Sequence, residues 1–230
     1  DVLALPQVER DVTLSCVSNW VGGPLVGNAV WQDTLLAPLL AECGPHPDAT
    51  QVVSRSVDGW TAGSPTSVIM DGRDAMLAIG MNGEPLPAEH GYPARLVVPG
   101  LYGYVSATKW VTEIELVRWE DFDAYWVPRG WAKEGPVKTM ARIDRAGDGF
   151  VAGVAWAVHR GVSRVEIQID DGEWLECELA GVPSDDTWRQ WRYELDPGLG
   201  GGHVVRARAY DGSGVVQPEG PKAEAPDGAE

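Results

Sequence analysis

Three cysteines in 230 residues, Cys16, Cys43 and Cys177, show no Cys-x-x-Cys spacing, and the four histidines are scattered. That pattern excludes a zinc site of paired thiolates, a covalent haem attachment and a disulfide framework. No apolar run reaches the roughly 18–20 residues of a membrane-spanning helix. Positive charge is scarce as well: 18 lysines and arginines face 34 acidic residues, a formal net charge of −16. A chain this acidic repels phosphate backbones and anionic lipid, so nucleic acid is excluded as a partner and any anionic ligand needs a local basic pocket. Phenylalanine is nearly missing, with 2 copies against 11 tryptophans, whereas 28 glycines and 17 prolines favour short strands and turns over long helices. The length allows two modest domains. The chain opens directly into its first strand and is expected to be a piece of a longer protein.

Val12 to Val17 reads as a strand that ends in a polar, Gly-rich turn. From Ala29 to Leu40 the apolar residues are spaced for a helix, interrupted by Pro38, which leaves a short helix over Leu35 to Ala41. Val52 and Val53 suggest a strand, 58–63 a loop, and Thr66 to Met70 a short helix or turn. Ala75 to Ile79 followed by Asn82-Gly83 is a hairpin signal. Leu96 to Val98, held between Pro93 and Pro99, suits a short buried strand, and Val111 to Val117 alternates as a half-buried one. The stretch 119–135 lacks periodicity and reads as a connector laid over the first domain. Beyond Pro136 short strands recur with turn signals, Asp171-Gly172 among them, as in a sandwich; the acidic, Pro/Gly-rich tail from Pro218 reads as extended or disordered. The expected fold class is therefore α+β and β-rich, divided into 1–135 and 136–230.

Two segments carry the chemistry. The first is Thr13-Leu14-Ser15-Cys16-Val17-Ser18-Asn19, which presents a thiol where a strand gives way to glycines. The second is His90-Gly91-Tyr92-Pro93-Ala94-Arg95-Leu96-Val97-Val98-Pro99-Gly100, followed by Ser106-Ala107-Thr108-Lys109-Trp110. Taken singly, each residue has an ordinary reading: Cys16 as a small buried hydrophobe, Arg95 and Lys109 as solvated charges, Asp58 before Gly59 as a turn former. Together, and with Met81-Asn82-Gly83-Glu84-Pro85-Leu86-Pro87 leading into His90, they resemble the molybdopterin site of the sulfite oxidase family. The resemblance implies that Cys16 is the thiolate ligand of molybdenum and the catalytic cysteine. It implies that His90, Arg95 and Lys109 grip the anionic Mo-molybdopterin, with backbone amides of Ala107 and Thr108 forming a phosphate nest and Asp58 facing the pterin edge. Val154-Ala155-Trp156, Asp171-Gly172-Glu173-Trp174 and Arg206-Ala207-Arg208-Ala209-Tyr210 resemble the family's immunoglobulin-like dimerisation domain. The implied architecture is a sulfite oxidase-like domain of mixed sheets with short helices, then an immunoglobulin-like sandwich.

The match also departs from the pattern. Trp20 and Val21 stand where the family's pattern implies a basic residue after Cys-x-x-Asn, and Ile79 where it implies an active-site tyrosine. The implied activity is oxygen-atom transfer coupled to two-electron redox, on a small oxyanion or a sulfoxide-type substrate. With no haem or flavin motif in the chain, a separate electron-transfer partner is expected, together with a homodimer and an extracytoplasmic location, anchored through a segment outside this chain. The rivals are a sulfoxide reductase-type activity and a non-catalytic β-rich binding module whose Cys16 is inert.

Overall fold

The computed structural model describes residues 2–199, 201–220 and 222–228. Four sheets account for the strands among them. In the first half, β1 (Val8–Ser15), β2 (Val26–Leu35), α1 (Leu36–Glu42), β3 (Gln51–Ser56), β4 (Thr61–Pro65) and α2 (Thr66–Ile69) follow one another. They are succeeded by β5 (Met76–Met81), β6 (Glu84–Pro85), β7 (Arg95–Val97), α3 (Gly103–Ser106) and β8 (Val111–Val117). One sheet runs β1-β2-β5-β6, with β7 also paired to β5, and a second runs β4-β3-β8.

The β5–β6 hairpin forms as its sequence requires. Asn82 and Gly83 both take positive φ, 54° and 80°, the conformation that a two-residue type I′ turn needs at both central positions. The helix α1 starts one residue later than expected, and Pro38 does not interrupt it. As third residue of the helix, Pro38 occupies a position whose N–H has no intrahelical acceptor in any case. What precedes α1 is a ten-residue strand, not the start of a helix, because the apparent helical spacing of Trp31, Leu35 and Leu39 spans a strand-to-helix junction at Leu35. The expected loop at 58–63 is likewise a tight turn leading into β4, which pairs residue by residue with β3 from Arg55↔Thr61 to Gln51↔Pro65.

The second half holds β9 (Met140–Gly147), β10 (Phe150–Trp156), β11 (Val162–Ile169), β12 (Trp174–Glu176), β13 (Glu178–Leu179), β14 (Arg189–Glu194) and β15 (Val205–Asp211). A β13-β14-β10-β9 sheet and a β12-β11-β15 sheet share one core, made of Val151, Ala155, Val165, Ile167, Trp191 and their neighbours. Between β12 and β13 the chain leaves one sheet for the other at buried Cys177.

Pro136 marks a change of sheet architecture without a gap in packing. Val137, Met140, Val154, Trp156 and Val158 join Leu36, Leu96, Tyr102 and Val105 in one buried cluster. Across the same junction the Thr13 amide donates to Asp186 O at 2.9 Å, and the Trp188 amide donates to Thr13 Oγ1 at 2.7 Å. The tail is not simply extended: Ala132 N–H donates to Pro226 O, Lys138 Nζ donates to Gly228 O, and Gly228 is buried against the Tyr102 ring. No helix among the described residues is long and apolar enough to cross a membrane.

Candidate cofactor site

Backbone pairing gathers three loops of the first half around one concavity. Val57 N–H donates to Trp110 O, Trp110 N–H donates to Gly91 O, and Val111 N–H donates to Ala94 O, so the turn after β3 is tied to the segments before β7 and β8. Gly91 makes this closeness possible. Its φ is 112°, and a Cβ there would lie 3.0 Å from the Cβ atoms of both Arg95 and Lys109. The resulting cavity, of about 560 Å³, is lined by Cys16, Asp58, His90, Arg95, Ala107 and Lys109, with aromatic walls from Trp60, Tyr104, Trp110 and Trp126.

Cys16 follows the last residue of β1 on a loop that closes on itself. Its N–H donates to Leu25 O, its carbonyl accepts from Asn19 N–H, and Asn19 Oδ1 accepts from Leu25 N–H at 2.8 Å. The thiol is exposed, 3.0 Å from Ser18 Oγ, so the ordinary reading of a buried hydrophobe does not apply. Cys177 is the contrasting case: burial pushes its thiol up to about 12.

Arg95 is the most unusual charge in the chain. Its residue is 6% exposed, and no carboxylate among the described residues lies within ion-pairing distance. Nη1 donates to His90 O at 3.1 Å and the guanidinium carbon sits 4.7 Å over the Trp31 ring. Burial pulls its pKa down to about 10, so it remains a cation at neutral pH. Lys109 Nζ donates to Glu89 O at 2.8 Å and lies 4.8 Å from the Trp110 ring centre. His90 is exposed on the turn that precedes Gly91. Asp58 is the one carboxylate on the lining. The Trp60 amide, 3.0 Å from Oδ1, holds it below the usual carboxylate range, helped by the nearby Ser56 hydroxyl, which falls outside hydrogen-bonding geometry. Ser56 Oγ is therefore buried at the cavity without a partner.

The structure brings six of the seven expected site residues together, and of the two amides expected to form a nest that of Ala107 is already engaged. Thr108 does not line the cavity: it is fully buried, its Oγ1 is 2.6 Å from Ser54 Oγ, and its carbonyl accepts from Leu96 N–H. Ala107 borders the cavity, but its amide donates to Gly103 O at 2.9 Å and is not free for a phosphate. Ile79 lies on β5 and is not among the residues that line this cavity. Trp126 was missed because its surroundings have no periodicity, and the orphaned Ser56 hydroxyl has no sequence signal at all. A concavity of about 500 Å³ on the sandwich differs in kind, since its arginines are already neutralised as Arg145–Asp148 and Arg192–Glu194 pairs.

These features fit Mo-molybdopterin. A buried cation without a counter-charge suits a phosphate-bearing group, flat aromatic walls suit a pterin, an orphaned hydroxyl suits its polar edge, and an exposed thiol suits a soft metal. Comparisons with known proteins agree. Residues 1–126 match the family described as "Oxidoreductase molybdopterin binding domain". Mitochondrial sulfite oxidase of Rattus norvegicus is 26% identical over 95% of this chain and 50% of its own length. An uncharacterised oxidoreductase of Bacillus subtilis (strain 168), YuiH, is 33% identical over 59% of this chain and 65% of its own length. Among solved structures, the sulfane dehydrogenase SoxCD from Paracoccus pantotrophus superposes with a TM-score of 0.78 at 26% identity, covering 95% of this chain and 64% of that one. The chain thus spans about half the length of the rat enzyme. With over half its residues inside the matched domain, the chain belongs to the sulfite oxidase family of molybdopterin oxidoreductases.

Proposed function

We propose that the cavity holds Mo-molybdopterin with Cys16 as the protein's thiolate ligand to molybdenum and Arg95, Lys109 and His90 on its anionic groups. The bound cofactor supplies two-electron redox chemistry and an exchangeable oxygen. The chain contributes position and charge. Arg95 and Lys109 offset the ligand's negative charge, Asp58 accepts hydrogen bonds from an amine-bearing edge, and the aromatic walls exclude water from a ring between them. The single observation behind this reading is Arg95, a buried cation without a carboxylate partner among the described residues, in a chain that has acids to spare.

The activity we infer is oxygen-atom transfer: a small oxyanion or similar acceptor gains an oxygen from water and releases two electrons and two protons, or a sulfoxide-type substrate loses one in reverse. A less charged, sulfoxide-type substrate is the second reading, because Trp20 and Val21 bring no positive charge to the loop that carries Cys16. The electrons pass to a separate carrier. The sandwich is read as immunoglobulin-like and as the surface that pairs two copies, and the protein as extracytoplasmic. Elemental and pterin analysis tests the core of this proposal. Wild type is expected to carry molybdenum and pterin, and Cys16→Ser to keep pterin while losing the thiolate signature at the metal. An unchanged metal spectrum in Cys16→Ser would remove Cys16 from the site.

A further inference from the structure

Trp31 lies outside the cavity lining, yet it touches the residue on which the cavity's charge depends. The ring is 4% exposed on β2, and its Nε1–H donates to Val12 O at 3.2 Å, which fixes the ring plane against β1. The Arg95 guanidinium rests over that ring at 4.7 Å. The two meet because β5 lies between β2 and β7, with Trp31 opposite Met81 and Arg95 opposite Ala78. Other buried or half-buried arginines of the chain rest on acids: Arg73 on Asp71, Arg142 on Asp144, Arg208 on Glu166. For Arg95 no acid among the described residues plays that part: the Trp31 face and two backbone carbonyls, His90 O and Leu96 O, take it.

The difference has a chemical consequence. A carboxylate beside Arg95 would neutralise it and compete with an incoming anion for the same N–H groups. The negative face of an indole offsets part of the burial cost while leaving the full charge and the outward N–H groups available. We propose that Trp31 is a positioning residue: it holds the Arg95 guanidinium charged, oriented and uncompensated for the anionic group of the cofactor. The inference rests on the reading that the cavity holds molybdopterin.

Trp31→Leu, Trp31→Phe and wild type are purified, and retained pterin is measured by fluorescence after oxidative release, with urea unfolding as a control for the fold. A cation–π contact of this kind accounts for roughly tenfold in retention, so Trp31→Leu is expected to lose about that much and Trp31→Phe to recover most of it. Because Trp31→Leu can also loosen the core, a second series replaces Trp31 with tryptophans of increasing ring fluorination. Their shape barely changes while the ring's negative face weakens, and retention is expected to fall in step with fluorination. Retention that stays flat across the fluorinated series overturns the proposal. Wild type that carries no pterin refutes the cofactor reading itself, a failure distinct from that of Trp31.

Discussion

Replacing Arg95 by methionine has two effects of opposite sign. In the cofactor-free chain the guanidinium is a buried charge with no counter-ion among the described residues, and its fall from the ordinary arginine value to about 10 corresponds to a folding cost of about 3 kcal/mol. The sign follows from protonation: below about pH 10 the group is charged in the folded and the unfolded chain alike, so the desolvation cost is present throughout the neutral range. Methionine removes that cost and keeps much of the stem's volume. It gives up the bonds to His90 O at 3.1 Å and Leu96 O at 3.4 Å, together worth about 1–2 kcal/mol, and the contact with Trp31, worth about another 1 kcal/mol. The balance is a cofactor-free chain at least as stable as wild type, by about 0–1 kcal/mol, whereas most buried substitutions destabilise by roughly 0.5–3 kcal/mol.

Cofactor retention moves the other way. Loss of a charged hydrogen bond costs about 1.5–3 kcal/mol, so Arg95→Met is expected to hold pterin roughly 10- to 100-fold less tightly. Urea unfolding of cofactor-free protein, with unchanged slope, measures the first effect, and pterin content measures the second. An Arg95→Met chain that is more than about 2 kcal/mol less stable, yet purifies with full pterin, would show that Arg95 is a structural residue and that the argument from its missing counter-ion is wrong.

Thiol labelling of the cofactor-free native chain should modify Cys16 and Cys43 and spare Cys177, and loading with molybdopterin should protect Cys16 alone; labelling that ignores the cofactor removes Cys16 from the site. Gly91→Ala should cost about 2–4 kcal/mol, because positive φ adds to contacts of 3.0 Å, whereas Gly130→Ala, at φ 96° but in open space, should cost only about 1–2 kcal/mol; equal losses would mean that the approach to Arg95 and Lys109 is unimportant. Burial alone would raise the Asp211 carboxyl, but bonds from Ser213 Oγ, Val215 N–H and Ser213 N–H hold it below its usual value. Its contribution is thus present above the unfolded carboxylate value and is lost as pH falls through the depressed one. Asp211→Ala should therefore cost about 2–4 kcal/mol at pH 7 in urea unfolding and less near pH 3.

Local chemistry made part of the fold legible. The Asn82-Gly83 turn and the alternating Val111–Val117 strand are specified by residues within a few positions of each other, and both form as read. The strand β2 was hidden because its apolar residues run on into α1, and a period measured across a junction describes neither element. In β4, Ala62 and Gly63 have little strand preference; the strand exists because β3 supplies a partner and Gly63 admits the Gln51 amide, whose Nε2 would lie 2.1 Å from a Cβ there. The site divides in the same way. Cys16, His90, Arg95 and Lys109 were readable as a joint pattern of residue types. The positions of the Ala107 amide and the Thr108 side chain depend on how the last turn of α3 closes, and sequence spacing does not encode that.

The contrast between global and local charge yields a kinetic expectation. At −16 the chain repels an anionic cofactor at long range, while Arg95 and Lys109 attract it only once it is inside the cavity. Salt screens the first effect over about 10 Å at 0.1 M and hardly reaches a contact made by a residue as buried as Arg95. Raising ionic strength should therefore speed the uptake of molybdopterin by the cofactor-free chain while changing its release much less. This is the reverse of the usual case, in which opposite charges steer a ligand in and salt slows it. Stopped-flow quenching of tryptophan fluorescence, with four tryptophans or tyrosines on the cavity wall to report binding, separates the two rates. If uptake instead slows as salt rises, a positive field outside the cavity is steering the cofactor, and the view that a locally uncompensated arginine supplies the attraction fails.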